Sequence, residues 1–165
     1  MIRTAILTVS DRGAAGERED TSAEEVRSLL GEVFTETASE IVPDEPERVR
    51  AQLQAWADSG EIDLIVTTGG TGLSPRDRTP EATRAVLDLE VPGLSEVMRA
   101  EGVKNNLKAA LSRGLVGARK GTLIVNLPGS PKGARESLAA ILGVLPHAVD
   151  TLRAEQRDAP EDWHE

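Results

Sequence analysis

The sequence predicts an α/β fold, a largely parallel sheet with helices on both faces. Three observations carry this. Short apolar runs rich in β-branched residues recur along the chain, as strands covered on both faces do. Stretches with helical apolar spacing separate them. The Gly- and Asp-bearing loops directly follow the strands, where open parallel sheets hold their ligands. The chain has 165 residues, which suits one ordinary domain. Residues 1–153 read as that domain and 154–165 as a polar, acidic tail.

Residues 4–9 (TAILTV) form the first strand, ended by Ser10-Asp11-Arg12-Gly13, and a polar loop runs to about Thr21. Ser22-Ala23-Glu24-Glu25 has the capping-box pattern, and Val26, Leu29, Leu30 and Val33 carry the helical stripe behind it. A second strand falls near residues 37–42. Asp44 and Glu47 repeat the capping-box pattern ahead of Val49, Leu53, Trp56 and Ala57. Residues 62–68 (IDLIVTT) are the strongest strand and run straight into Gly69-Gly70-Thr71-Gly72-Leu73-Ser74-Pro75-Arg76-Asp77-Arg78-Thr79-Pro80. Thr79 as N-cap with Pro80 at the first helical position opens the next helix. Pro92-Gly93 interrupts the chain before a short helix with Leu94, Val97 and Met98. Residues 103–120 show no periodicity that assigns an element. Residues 122–126 (TLIVN) make a further strand, followed by Leu127-Pro128-Gly129-Ser130-Pro131-Lys132 and one last helix with Leu138, Ile141, Leu142, Leu145 and Val149.

Composition removes whole classes of function. There is no cysteine, which excludes disulfides, thiolate metal sites and cysteine nucleophiles. The only histidines are His147 and His164, with no H-E-x-x-H pair and no nucleophile beside either. Tyrosine is absent, and Phe34, Trp56 and Trp163 are the only aromatics, too few for a nucleic-acid stacking platform. The net charge of −9 opposes nucleic-acid binding as well. No apolar run is long enough to cross a membrane, and the N-terminus lacks a signal-peptide layout. A cytoplasmic protein is expected.

Four loops therefore gather on one rim: Ser10 with Asp11, Asp44, the glycine loop with Asp77, and residues 126–132. Gly69-Gly70-Thr71-Gly72 can turn backbone amides toward an anion. It matches neither the dinucleotide fingerprint nor the P-loop, and it serves equally as a tight strand-to-helix turn. Asp77 reads as a magnesium ligand or a neutralised loop carboxylate, and Asp44 as a second ligand or an N-cap. Asp11 reads as a turn residue. Arg12, Arg76, Lys120 and Lys132 are candidate phosphate contacts. The amides of Gly129 and Ser130 stand at the start of the last helix, an anion site in waiting or a Pro-Gly turn.

The stretch from Thr67 and Thr68 through Thr83 resembles the molybdopterin adenylyltransferase family, which includes MogA and MoaB proteins and the G domains of gephyrin-like proteins. Further matches follow in order: Val9-Ser10-Asp11-Arg12, Pro43-Asp44-Glu45, Pro92-Gly93 with Glu96 and Met98-Arg99, and Asn126 to Pro131. The resemblance covers about residues 3–150 and implies a three-layer α/β sandwich, assembled as a trimer. It implies transfer of AMP from ATP to the terminal phosphate of molybdopterin, with release of pyrophosphate and later hand-over to a molybdenum-insertion protein. It implies Asp44 and Asp77 as catalytic and Mg2+-binding carboxylates. Thr68 and Gly69, Gly70, Thr71 and Gly72 would hold nucleotide phosphates. Ser10, Asp11, Ser112, Asn126, Pro128, Gly129, Ser130 and Lys132 would line the shared pocket. The family pattern is broken at Gly121, where some relatives carry serine. The nucleophile would already be an anion, so no general base is required. The alternative is a MoaB-type paralogue that binds molybdopterin without turnover. A gephyrin-like scaffold is a third reading.

Overall fold

The computed structural model describes residues 1–158, with side chains described through residue 154. Six strands form one sheet: β1 (Ile2–Val9), β2 (Phe34–Val42), β3 (Leu64–Thr68), β4 (Leu89–Glu90), β5 (Val116–Arg119) and β6 (Thr122–Leu127). Their order is β2-β1-β3-β6-β5-β4. β2, β1, β3 and β6 run parallel, while β5 is antiparallel to both neighbours. The helices are α1 (Asp11–Ala14), α2 (Thr21–Leu29), α3 (Pro46–Asp58), α4 (Thr79–Arg84), α5 (Pro92–Val103), α6 (Pro131–Ile141) and α7 (Leu145–Asp158). The expected three-layer arrangement is present. One core joins α2, α5, α6 and α7 to the sheet through Val26, Met98, Leu138 and Leu145. The other joins α3 and α4 through Val49, Leu53 and Ala82, with Val86 just beyond α4. Leu53 is fully buried, and burying one such side chain contributes about 1.5–3 kcal/mol.

The chain leaves β1 toward β2 on one side, and β3 lies on the other. That reversal opens a crevice at the carboxyl ends of β1 and β3. The same rim collects the ends of β2 and β6, because all four strands point the same way.

Three helix starts differ from the sequence reading. Asp20, not Ser22, caps α2 by accepting from the Ala23 amide at 3.1 Å; a carboxylate is the stronger acceptor, and Ser22 instead bonds Asp20 and Thr68. Glu45 occupies the N-cap position of α3, and no side chain caps that helix. Thr79 is the first residue of α4 rather than its cap, and its hydroxyl donates to the Gly69 carbonyl at 2.9 Å. In both α3 and α4 a proline in the first turn removes one orphan donor, so a side-chain cap is less needed.

The expected single last helix is two, joined by a 3-10 turn over Leu142–Val144 around Gly143. α7 continues past the expected start of the tail to Asp158, and residues 159–165 of that tail lie outside the described residues. Residues 103–120 hold the end of α5, a 3-10 helix over Leu107–Leu111 and β5. On the opposite rim, Asp63 is buried and accepts from Arg3 at 2.9 and 3.0 Å and from Arg153 of α7. This pins the last helix across the base of the sheet.

Candidate active site

Asp11 and Asp44 exchange bonds across the ends of β1 and β2. The Asp11 amide donates to Asp44 Oδ2 at 2.9 Å, and the Asp44 amide donates to Asp11 Oδ1 at 3.0 Å. Arg76 then clamps Asp11 with two bonds, at 2.7 and 2.9 Å. That pair holds the Asp11 carboxyl below the usual range. Asp44 goes the other way. Burial pushes its pKa up, and the nearby charges of Asp11 and Asp77 add to the rise. Asp44 is thus withdrawn from capping α3 and held, partly desolvated, among like charges.

The glycine loop follows β3. Gly69 and Gly70 have φ of 95° and 69°, the left-handed region that favours glycine. A side chain on Gly69 would drive into the Val9 carbonyl oxygen, and one on Gly70 into Thr79. Gly129 packs against Gly69 closely enough that a Cβ there would lie 3.2 Å from the Gly69 Cα. The two loops are therefore nested backbone on backbone. Asp77 turns its carboxylate back over the loop, accepting from the Ser74 amide at 3.0 Å. A Cβ on Gly72 would stand 2.9 Å from its Oδ2.

Two cavities open at this rim. The larger, about 480 Å³, is walled by Gly70, Thr71, Gly72, Asp77, Ser112, Asn126, Pro128, Gly129, Ser130 and Lys132, and by the α5 side with Met98, Arg99, Lys108 and Leu111. The smaller, about 340 Å³, is walled by Thr8, Ser10, Asp20, Ser22, Asp44, Thr68, Gly69, Gly70, Asp77, Gly129 and Ser130. Gly70, Asp77, Gly129 and Ser130 face both. The larger chamber carries Arg99, Lys108 and Lys132 against Glu136, the smaller carries Glu19, Asp20 and Asp44 against Arg18, and the Asp77 carboxylate is shared by both, so the smaller is the more acidic. Ser130 caps α6, accepting from the Gly133 amide at 3.1 Å, so an eleven-residue helix starts at the shared wall.

The comparisons decide the lineage. Residues 5–147 match the family model described as "Probable molybdopterin binding domain". The chain belongs to this family. It is 47% identical over 153 residues to the Drosophila melanogaster molybdenum cofactor synthesis protein cinnamon, covering 92% of this chain but 26% of that protein. It is 41% identical to a Helicobacter pylori molybdopterin adenylyltransferase, covering 92% of this chain and 88% of that one. The structure of the molybdopterin biosynthesis enzyme MoaB of Thermus thermophilus superposes with a TM-score of 0.88 at 58% identity, covering 93% of this chain and 98% of that chain.

Within this family fold, most of the expected site residues stand on the two cavity walls. Asp11 lines neither chamber and acts on Asp44 from the rim. Asn126 is almost fully buried, and its amide group donates to Thr67 and Thr83 at 3.0 Å each while accepting from the Leu115 amide. It ties β6 to β3 and α4 at the wall of the larger chamber. Of the candidate phosphate contacts, Lys132 lines the larger chamber and Arg76 is engaged by Asp11. Lys120 and Gly121 form the two-residue turn between β5 and β6, with φ of 45° and 80°. That turn is at the start of β6, the rim opposite both chambers, so the departure at Gly121 falls outside them. Glycine there meets the left-handed backbone that such hairpins require.

The residues that sequence reasoning missed are Arg99, Lys108 and Met98 on the larger chamber and Thr8, Asp20 and Ser22 on the smaller. Asp20 and Ser22 did carry a signal, the cluster of capping residues at the start of α2, and Met98 with Arg99 stood in a segment that matches the family. Lys108 had none, because its 3-10 helix lacks apolar periodicity.

Proposed function

We propose that this chain is a molybdopterin adenylyltransferase acting in molybdenum cofactor biosynthesis. The observation that carries the proposal is the shared wall. Two chambers of different electrostatic character meet at Gly70, Asp77, Gly129 and Ser130, as a reaction joining two substrates requires. A terminal phosphate oxygen of molybdopterin attacks the α-phosphorus of ATP, a new P–O–P linkage forms, and the bond to pyrophosphate breaks. The attacking oxygen is already anionic, so this chain, poor in histidine, needs no general base. Its task is to hold two polyanions together. The Gly69 amide is taken by the Leu127 carbonyl, so the amides of Gly70, Thr71 and Gly72, the α6 N-terminus and Lys132 supply positive potential, and catalysis is positioning with charge stabilisation.

The residues fit a magnesium ion. Asp44 and Asp77 border one chamber, and Asp44 sits where its own charge is disfavoured until a cation arrives. Magnesium takes one or two carboxylates and completes its shell with waters and substrate phosphates. Bound there, it would neutralise phosphate charge. Asp44 and Asp77 would hold it, and the reciprocal bonds with Asp11 would orient Asp44. A single domain over residues 1–153, a homotrimer, a cytoplasmic location and hand-over of product to a molybdenum-insertion protein belong to the same reading. No described helix is long and apolar enough to cross a membrane.

The test is pyrophosphate release from ATP and Mg2+ with and without molybdopterin. Release that depends on molybdopterin supports the proposal. Binding of molybdopterin with no release refutes the transferase reading and leaves a binding-only paralogue.

A further inference from the structure

Arg113 reaches across about forty residues of sequence to hold the glycine loop. Its amide donates to the Thr71 carbonyl at 2.9 Å. Its Nε donates to the Gly72 carbonyl at 2.9 Å, and one terminal nitrogen donates to the Asp77 carbonyl at 2.7 Å. The other terminal nitrogen pairs with the Glu81 carboxylate in the first turn of α4. Among the described residues, no other side chain donates to the Gly72 or Asp77 carbonyl.

We propose that Arg113 is the positioning residue for the Asp77 carboxylate. The proposal rests on the reading of Asp77 as a working carboxylate of the site. Residues 69–78 lie between β3 and α4 and form no strand or helix. Their own backbone supplies few bonds: the Asp77 amide to the Ser74 carbonyl at 2.9 Å and the Thr79 amide to the Gly70 carbonyl at 3.0 Å. The Arg76 pair with Asp11 and the Ser74 amide on Asp77 Oδ2 also tie the turn, but neither bonds the Gly72 or Asp77 carbonyl, so without Arg113 that stretch of backbone can shift and carry the carboxylate with it. A planar guanidinium bonding Gly72, Asp77 and Glu81 at once fixes both ends of the turn and the helix behind it. Lysine cannot reproduce this, since an ammonium is a point charge on a flexible stem without the rigid fork. The clamp also has a second end. Ser112, the preceding residue, lines the larger chamber, so the wall of that chamber and the carboxylate facing both chambers are joined through one side chain.

Two variants and two readouts test this. Arg113→Lys is expected to lower kcat for pyrophosphate release about 10–100-fold, the range for a displacement approaching 1 Å, while KM for ATP stays within about threefold. Backbone amide exchange, read without any substrate, is expected to accelerate at Ser74, Asp77 and Thr79 and stay unchanged in β1, β3 and β6. Glu81→Gln keeps an acceptor for Arg113 and leaves both carbonyl bonds in place but weakens the charge-assisted bond that anchors the guanidinium, so its kcat is expected to fall by clearly less than that of Arg113→Lys. Parental kcat in Arg113→Lys overturns the proposal, as does unchanged exchange in the loop. Exchange faster throughout the sheet also overturns it, by showing a general structural role. So does a Glu81→Gln loss as large as that of Arg113→Lys. If the parent protein releases no pyrophosphate, the transferase reading falls, and the exchange pattern alone decides whether Arg113 holds the Asp77 turn.

Discussion

Alanine at Gly72 and alanine at Gly69 are expected to fail in opposite ways. At Gly72 the backbone is not left-handed, and the obstacle is a side chain: the new Cβ would stand 2.9 Å from Asp77 Oδ2, about 0.5 Å inside ordinary contact at 3.4 Å. The carboxylate can yield, so stability is expected to change by less than about 1 kcal/mol. The displacement nonetheless falls on the atom that faces both chambers. If a 1 Å misplacement costs about 100-fold in rate, half that distance costs about tenfold in kcat. At Gly69 the obstacle is the Val9 carbonyl and a φ of 95°. Backbone cannot step aside. The left-handed conformation costs roughly 1–2 kcal/mol and the overlap roughly 1–3 kcal/mol. At about 2–4 °C per kcal/mol for a chain of this size, the melting temperature should fall by roughly 5–15 °C. Thermal unfolding and steady-state pyrophosphate release, run on both variants, provide the readings. A Gly72→Ala protein with full kcat, or a Gly69→Ala protein with parental melting temperature, would refute the reasoning.

Asp44→Asn should leave the ligand-free protein at least as stable as the parent, because burial and the charges of Asp11 and Asp77 disfavour its ionised form; turnover should drop at least about 100-fold, and denaturant titration with the release assay checks both. The same raised pKa means that, as pH falls, divalent-cation binding in the parent should weaken before the ordinary aspartate range is reached, which Mn2+ titration by paramagnetic resonance would read. Asp63 makes the acid limb of stability. Burial alone would raise its pKa, but hydrogen bonds from Arg3 and Arg153 outweigh it and hold the carboxyl well below the usual range. Its stabilisation is therefore complete above the unfolded value near 3.9 and disappears as pH falls toward the folded value. Asp63→Asn should cost about 2 kcal/mol at pH 7, discounted for the partly exposed arginines, with the gap to the parent narrowing below about pH 4 in urea titrations.

The layered fold and the placement of the four loops were legible because parallel strands send every carboxyl end to one rim. The apolar runs at 4–9, 62–68 and 122–126 marked those strands without needing any tertiary information. What misled was the capping chemistry. Asp44 and Thr79 each look like the N-cap of the helix that follows, yet Asp44 bonds the Asp11 amide and Thr79 bonds the Gly69 carbonyl. A polar side chain at a strand end can satisfy either the next helix or the neighbouring loop, and local spacing does not distinguish them. Residues 103–120 were illegible for another reason. β5 exists by pairing with β6 and β4, and Arg113 acts on carbonyls some forty positions away. Neither leaves a local pattern.

The most direct test is a single turnover with ATP labelled at the α-phosphate, using parent protein and Asp77→Asn with molybdopterin and Mg2+. Label is expected to join the pterin in the parent and to stay on nucleotide in Asp77→Asn, although that variant still binds ATP. Label transfer by Asp77→Asn at the parental rate, or no transfer by the parent, would contradict that expectation.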